Sequence, residues 1–234
     1  MKKVILLSLV LGAWGFHFPA YATSPTQPKT GGIESQDYVW NAQSGEIAEL
    51  LQIKGDVERG RIAYRICQGC HKADAHGLAN GIYPQLAGQH ITVLVKQMAD
   101  VREGRRDNQK MFPFAGKHVV ETHEVADLAA FLNSLPLPSD NDKGPGTDLP
   151  HGKALYDKDC ASCHGVQGEG SAEKFYPVTA GQHYRYLLRQ TAAIRDGSRR
   201  NANPEMVKSV KDYSTRDMDA VADYMSRLIL PKSP

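Results

Sequence analysis

Two short stretches of this chain hold cysteine and histidine at a spacing that carries chemistry. Cys67 to His71 and Cys160 to His164 both have the form C-x-x-C-H. This form is typical of c-type haem attachment, in which two thiols add to the haem and the histidine that follows ligates the iron. The chain has four cysteines in all, so every thiol belongs to one of the two motifs. We therefore expect two covalently bound haems, attached at Cys67, Cys70, Cys160 and Cys163.

An internal repeat with an offset of 93 residues surrounds the motifs. The matched positions run from the cysteines through a Tyr-Pro pair to an Ala-Gly-Gln-His segment and a charged loop. They are Cys67 with Cys160, Tyr83-Pro84 with Tyr176-Pro177, Ala87 to His90 with Ala180 to His183, Gln97 with Gln190, Arg102 with Arg195, and Gly104 with Gly197. Matches at one fixed period indicate a duplicated domain.

Both units show helical periodicity. Apolar residues recur at helical spacing over 91–101 and 125–132, and over the matching ranges 184–194 and 218–225. No alternating pattern predicts a strand, so we expect an all-α chain. Prolines and glycines punctuate 138–149, which predicts a stiff linker. The expected domains are 55–137 and 150–231.

Residues 1–22 have the pattern of a secretory signal peptide. Lys2 and Lys3 precede an apolar run, and Ala20-Tyr21-Ala22 supplies a small-residue cleavage site. An uncleaved membrane anchor is the alternative, but the apolar run is short for a membrane span. We expect cleavage and export to the periplasm, which agrees with haem attachment outside the cytoplasm.

Residues 23–54 form an N-terminal extension without a counterpart before the second unit. The part over 23–42 is rich in Thr, Pro, Gly, Ser and Gln, which is typical of a flexible lead-in. Ser44 to Leu51 predicts a short helix. The sequence assigns the extension no function.

The charge of the chain gives no reason to expect a nucleic-acid partner. It has 28 basic and 26 acidic residues, and cleavage of the signal peptide would remove Lys2 and Lys3 and balance the two. Surfaces that bind nucleic acid are usually strongly basic. We therefore exclude this class of partner.

The histidine of each motif is the expected proximal ligand of the iron. His71 and His164 follow the cysteines directly, and Pro84 and Pro177 each lie 13 residues further on. A ligating imidazole usually donates its other N–H to a carbonyl group, which fixes the ring. We expect the two proline carbonyls to have this role.

The distal ligand can be a methionine, a histidine or no residue. Met111 and Met206 follow the first long helix of each unit in loop sequence, where a core methionine would be out of place. The other methionines of the mature chain, Met98, Met218 and Met225, lie on apolar helical faces. The rival ligands are His76, His118, His123 and His183. His90 and His183 match across the repeat at helix starts, where a haem propionate contact or a helix cap suits them better. We expect ligation by Met111 and Met206.

Iron held by histidine and methionine favours electron transfer over catalysis. Both axial positions are filled by the protein, so we expect no catalytic residues and no enzymatic activity. Thioether ligation raises the reduction potential. The chemistry that remains is one-electron transfer by the cofactor.

These residues resemble the dihaem cytochrome c4 family. The resemblance rests on the two motifs, on the segments YPQLAGQH and YPVTAGQH after them, and on Gly-Arg-rich loops that end in methionine, and it covers about 55–230. It implies two small cytochrome c domains of class I type with their haem propionates close together. It also implies the ligand pairs His71 with Met111 and His164 with Met206.

The resemblance further implies an electron carrier of the respiratory chain. Members are periplasmic and often membrane-associated, so peripheral membrane attachment stays open. The implied donors are a quinol-oxidising complex or a small redox protein, and the implied acceptors are terminal oxidases or reductases. Val178-Thr179 stands where the first unit has Gln85-Leu86, which leaves the shape and hydration of the second haem pocket open.

Two other classes of protein fit parts of the pattern. A dihaem redox enzyme, such as a peroxidase or a relative of thiosulfate dehydrogenase, needs an open or switchable distal site. Thiosulfate dehydrogenases use a cysteine as a distal ligand, and this chain has no cysteine to spare. A binding module would use the cysteines for zinc or for redox disulfides. The two pairs, however, lie 89 residues apart in a tandem repeat, and a histidine follows each.

Overall fold

A computed structural model describes residues 25–230; the expected signal peptide at 1–22 lies outside this range. Within it the chain is helical and has no strand beyond an isolated bridge between Ser171 and Tyr176, which confirms the all-α prediction. None of these helices is long and apolar enough to cross a membrane. The helices are α1 Gly45–Gln52, α2 Val57–Ala63, α3 Gln68–His71, α4 Ile91–Arg102, α5 Phe112–Ala115, α6 Thr122–Ser134, α7 Leu149–Leu155, α8 Ala161–His164, α9 Tyr184–Arg195, α10 Pro204–Val210 and α11 Thr215–Ser226.

In each domain the helix before the cysteines crosses the C-terminal helix at a glycine. A Cβ atom on Gly60 would lie 2.0 Å from the carbonyl oxygen of Asp127, and one on Gly152 would lie 2.1 Å from that of Ala220. Any side chain would therefore push α2 away from α6, or α7 away from α11. The crossings hold each cysteine segment against the helix that closes its domain.

The second domain contains one extra residue between this crossing and its cysteines. Tyr64 and Tyr156 are both fully buried at equivalent places. The first domain connects Tyr64 to Cys67 through a 3-10 turn, whereas the second connects Tyr156 to Cys160 through a π-helical turn. The wider turn absorbs the insertion and brings both motifs to the same place in the fold.

The apolar helical faces form the core of each domain, as the periodicity predicts. Val95 on α4 and Val125 and Leu128 on α6 are at most 3 % exposed. In the second domain Val221 and Met225 on α11 are at most 5 % exposed. These cores are small for independent domains, and the expected haem would supply additional apolar surface to each.

The linker packs onto the second domain. Asn141 is buried, and its amide donates to the carbonyl oxygens of Gln182 and Ser226, each at 2.8 Å. The Gly146 N–H donates to the Asp223 carboxylate at 2.6 Å. The linker is therefore held by hydrogen bonds as well as by its prolines.

Residues 25–44 contain no helix or strand and form hydrogen bonds to both domains; we call this segment the strap. The buried Gln27 amide donates to the carbonyl oxygens of Val101 at 2.6 Å and Arg106 at 2.8 Å. On the other domain the Ile33 N–H donates to the Arg200 carbonyl oxygen at 2.8 Å. The expectation of a flexible lead-in is wrong for these residues, because their polar groups are paired with the backbone of both domains.

The two domains meet through hydrogen bonds that follow the 93-residue repeat. The Gln89 amide donates to the Val178 carbonyl oxygen at 3.0 Å and accepts from the Val178 N–H at 2.9 Å. Gln182 makes the same pair of bonds to Gln85, at 3.0 and 3.1 Å. Because Gln89 matches Gln182 and Gln85 matches Val178, the domains are related by an approximate two-fold axis.

Two histidines extend the same symmetric interface. His90 Nε2 lies 2.8 Å from the Glu169 carbonyl oxygen, and His183 Nε2 lies 2.6 Å from that of His76. Both histidines occupy the N-cap position of a long helix, but neither side chain caps it. Their side chains join the domains, which the sequence alone did not indicate.

Candidate haem sites

Each C-x-x-C-H motif is a single helical turn. The His71 N–H donates to the Cys67 carbonyl oxygen at 2.9 Å within the turn that forms α3. The matching residues form α8 in the second domain. None of the four cysteines is in a disulfide, so both thiols of each turn are available to one haem. Within residues 25–230 no group of three or more His, Cys, Asp or Glu side chains is arranged to hold a metal ion.

The two motif histidines are oriented in the same way. His71 Nδ1 lies 3.1 Å from the Pro84 carbonyl oxygen, and His164 Nδ1 lies 3.2 Å from that of Pro177. Both rings are buried, and burial lowers the pKa of each imidazole. A neutral ring that donates through Nδ1 has a lone pair on Nε2, which is the form that binds iron. Both histidines are therefore suited to bind the iron of a haem through Nε2.

Glycines allow the proline carbonyls to reach the histidines. Gly77 and Gly170 have φ angles of +70° and +68°. A Cβ atom on Gly77 would lie 2.4 Å from the Tyr83 carbonyl oxygen, and one on Gly170 would lie 2.5 Å from that of Tyr176. These two glycines also match at the 93-residue offset, which is the signal by which the sequence could have revealed them.

A tyrosine lies beside each histidine. The ring centroids of Tyr83 and His71 are 6.0 Å apart, and those of Tyr176 and His164 are 6.4 Å apart. A hydrogen bond with the Cys70 sulfur raises the pKa of Tyr83, whereas burial is the main cause that raises the pKa of Tyr176. The phenol groups thus lie near the second cysteine of each motif, at the edge of the expected haem.

The candidate distal methionines lie in different local structures. Met111 is the N-cap residue of the short helix α5, in the turn that the sequence predicts, and packs with Val101 and Phe112. Met206 lies inside α10, so the loop expected there is wrong. Asn203 caps this helix and Pro204 begins it, and these local signals favour a helix over a loop. Both methionines are half-buried.

The other methionines and the rival histidines lie elsewhere. Met218 and Met225 are core residues, and Met98 packs between two apolar clusters of the first domain. His118 and His123 are exposed. His76 lies 3.6 Å from Asp74 at the surface of the first domain.

A group of polar side chains at the domain interface was not predicted as a site. The Arg106 guanidinium donates to Gln97 at 2.8 Å and to the Tyr186 hydroxyl at 3.0 Å. Arg199, its match in the repeat, donates to Gln190 at 2.8 Å and to Gln97 at 3.1 Å. Burial, reinforced by the charge of Arg106, lowers the pKa of Arg199 to about 10. Two guanidinium groups thus share one region with few carboxylates.

Comparisons with known proteins show the family of the chain. Residues 57–136 and 150–228 match the family model described as Cytochrome c. The chain is 30 % identical over 200 residues to the protein named Cytochrome c4 of Azotobacter vinelandii, which covers 78 % of this chain and 93 % of that relative. It is 34 % identical over 205 residues to the protein named Thiosulfate dehydrogenase electron acceptor of Stutzerimonas stutzeri, with 79 % and 93 % covered.

Solved structures show the same architecture. The crystal structure of reduced recombinant cytochrome c4 from Pseudomonas stutzeri is 26 % identical, with a TM-score of 0.66, and it is matched over 75 % of this chain and 100 % of that chain. Tandem helical domains, a complete haem-attachment motif in each and these matches lead to one conclusion. The chain belongs to the cytochrome c family, in its dihaem cytochrome c4 group, and carries two c-type haems.

Proposed function

We propose that this chain is an electron carrier in which each haem iron is held between a histidine and a methionine. The ligand pairs are His71 with Met111 and His164 with Met206. The observation that carries the proposal is the matched pair of imidazoles. Each follows a cysteine pair, is fixed through Nδ1 by a proline carbonyl, and has Nε2 without a hydrogen-bond partner among residues 25–230.

The cysteines, prolines and methionines of the two sites have different roles in holding the cofactor. Each haem supplies a one-electron Fe(III)/Fe(II) couple when bound. The cysteines fix its position, and the proline carbonyls hold the imidazole rings in one tautomer and orientation. The soft sulfur atoms of Met111 and Met206 stabilise the reduced iron and leave no position for a substrate.

The guanidinium groups of Arg106 and Arg199 fit the haem propionates. A partly buried cation is stabilised by an anion that replaces its lost hydration. Both arginines donate to glutamine side chains, and within residues 25–230 neither forms an ion pair with a carboxylate. Propionates that meet at this interface would place the two haems close together, as electron exchange between them requires.

Location and partners follow from the signal-peptide pattern and from the relatives. We place the protein in the periplasm, with peripheral membrane attachment left open. Candidate donors are a quinol-oxidising complex or a small redox protein, and candidate acceptors are a terminal oxidase or a reductase. A relative named as the electron acceptor of a thiosulfate dehydrogenase adds such an enzyme to the candidate donors.

Carbon monoxide binding to the reduced holoprotein tests this function against the enzymatic alternative. We expect the native protein to bind none rapidly, because both axial positions are filled. Met111→Ala and Met206→Ala should each open one haem, while the core variant Met98→Leu should open neither. Rapid binding by the native protein, or turnover of peroxide or thiosulfate by the protein alone, would support the enzyme instead.

A further inference from the structure

The strap and α1 make the two haem domains unequal. Residues 25–56 lie outside both segments that match the family model, and the second segment begins right after the linker. The approximate two-fold axis therefore relates the domains but not the strap. Any contact that the strap makes with one haem site is absent from the other.

The strap is anchored firmly on the first domain. α1 packs on α4 and α6, and Glu46 forms an ion pair with Arg102 at 2.5 Å in which both side chains are at most 3 % exposed. At the other end, a Cβ atom on Gly104 would lie within 2 Å of the Pro28 carbonyl oxygen. The glycine thus lets the strap lie directly against the loop that leads to Met111.

From this anchor the strap reaches the second domain. Glu34 bonds to the Arg200 guanidinium at 2.8 Å. Trp40 stacks on Tyr176, with ring centroids 5.8 Å apart and planes 25° apart. The Lys96 ammonium of the first domain also lies over the Trp40 ring, 5.4 Å from its centre. Trp40 is therefore held between the two domains.

The tyrosine that contacts Trp40 also contacts the expected histidine ligand of the second haem. Tyr176 lies beside His164, and His164 is fixed by the Pro177 carbonyl. The matching Tyr83 lies beside His71 in the same way, but it makes no aromatic contact with the strap within residues 25–230. Within residues 25–230, the series of ring contacts from Trp40 through Tyr176 to the imidazole thus occurs at the second haem site and not at the first.

Trp40 also forms one wall of a groove next to this stack. The groove has a volume of about 360 Å³ and is lined by Tyr38, Trp40, Tyr176, Asn203 and Glu205 among others. It ends at the start of α10, which carries Met206. Loss of the indole would widen the groove beside Tyr176 and admit more water next to this ring.

We propose that Trp40 is a positioning residue for the second haem, which holds Tyr176 against His164 and raises the reduction potential of that haem alone. Ferric haem carries one more positive charge than ferrous haem. Keeping water away therefore favours the reduced form, and a fixed imidazole preserves ligation in both states. This inference uses the attached haem and His164 but does not depend on which residue is the distal ligand.

The test is a redox titration of the holoprotein, with the two haems distinguished by their paramagnetically shifted methyl resonances. Trp40→Ala should lower the reduction equilibrium constant of the second haem by roughly threefold to tenfold and leave the first unchanged. Trp40→Phe keeps an aromatic ring beside Tyr176, so the reduction equilibrium constant of the second haem should stay close to that of the native protein. The matched control is Gln36→Ala, since Gln36 lies in the strap, is exposed and does not line the groove, so it should change neither haem.

Equal shifts at both haems, or no shift in Trp40→Ala and Trp40→Phe alike, would overturn the inference. If Trp40→Ala yields too little holoprotein, Trp40→Leu gives the same comparison between the haems, because it keeps an apolar side chain but removes the ring that stacks on Tyr176. The distal ligands are read separately, from the far-red charge-transfer band of the oxidised native protein. A missing band would thus count against the proposed ligands, and an unmoved second potential against the role of Trp40.

Discussion

The paired glutamines at the domain interface predict that the two domains stabilise each other. In Gln182→Ala the chain loses the hydrogen bonds to the Gln85 carbonyl oxygen and N–H, at 3.0 and 3.1 Å. Gln85 is only 3 % exposed. Its two backbone groups would then be left in the interface without partners.

The size of the effect follows from these two bonds. Each hydrogen bond contributes about 1 kcal/mol net, and a buried backbone group without a partner costs about 1–3 kcal/mol. Partial entry of water into the opened interface reduces the second cost. We expect Gln182→Ala to lower the free energy of unfolding by about 2–4 kcal/mol. Gln89→Ala should lower it by a similar amount, because the bonds of Gln89 to Val178 are equivalent.

Denaturant unfolding of the holoprotein measures this loss. Far-ultraviolet circular dichroism reports the helices and haem absorbance reports the haem pockets, and each signal should change from one transition to two when the domains uncouple. Gln167→Ala is the matched control, since Gln167 is exposed. A Gln182→Ala variant within about 0.5 kcal/mol of that control, with one shared transition, would refute the role assigned to these bonds.

Three further outcomes follow from the structure. Gly77→Ala should lower the free energy of unfolding by about 2 kcal/mol and reduce haem incorporation, because its Cβ would meet a backbone carbonyl oxygen at positive φ. Arg102→Ala should lower the free energy of unfolding by about 3–5 kcal/mol, because the buried Glu46 carboxylate keeps only Thr122 and the exposed Lys117 as partners, and two buried carbonyl oxygens lose their donor. The bond to Arg200 lowers the pKa of Glu34 from 4.5 to about 2. This contact therefore favours a docked strap above pH 4.5 and is lost as the pH falls towards 2, which amide exchange in the strap should report.

Each of these three predictions has a matched control variant. Gly69→Ala controls for Gly77→Ala, because a Cβ atom on Gly69 meets nothing within 4 Å, and equal stability of the two would contradict the steric argument. Arg61→Ala controls for Arg102→Ala, since the Arg61 side chain is 52 % exposed and an exposed ion pair contributes little. For the strap, a Glu34→Gln variant that keeps the native pH dependence would show that another group is responsible.

The motifs, the repeat and the helical faces were predictable because they depend on residues close in sequence. C-x-x-C-H chemistry is local, and the apolar periodicity at Val125 and Leu128 reports the face that is buried. The proline contacts were also within reach, since a spacing of 13 residues recurs in both units. Met206 lies in a helix and not in the expected loop, because Asn203 caps α10 and Pro204 begins it.

The interface and the strap were not predictable, because they depend on how separate parts of the chain meet. Gln89 and Gln182 stood out as repeated residues, but only the structure shows that each bonds to the opposite domain. The strap has a composition typical of disorder. Its order comes from side chains such as Gln27 and Trp40, which find partners in both domains.

The far-red absorption of the oxidised holoprotein tests the central claim most directly. Methionine bound to ferric haem gives a weak charge-transfer band there, and we predict a band from both haems. Met111→Ala and Met206→Ala should each remove about half of it, and the double variant should remove all of it, while Met98→Leu leaves it unchanged. A native protein without the band, or a band that survives in the double variant, would contradict ligation by these two methionines.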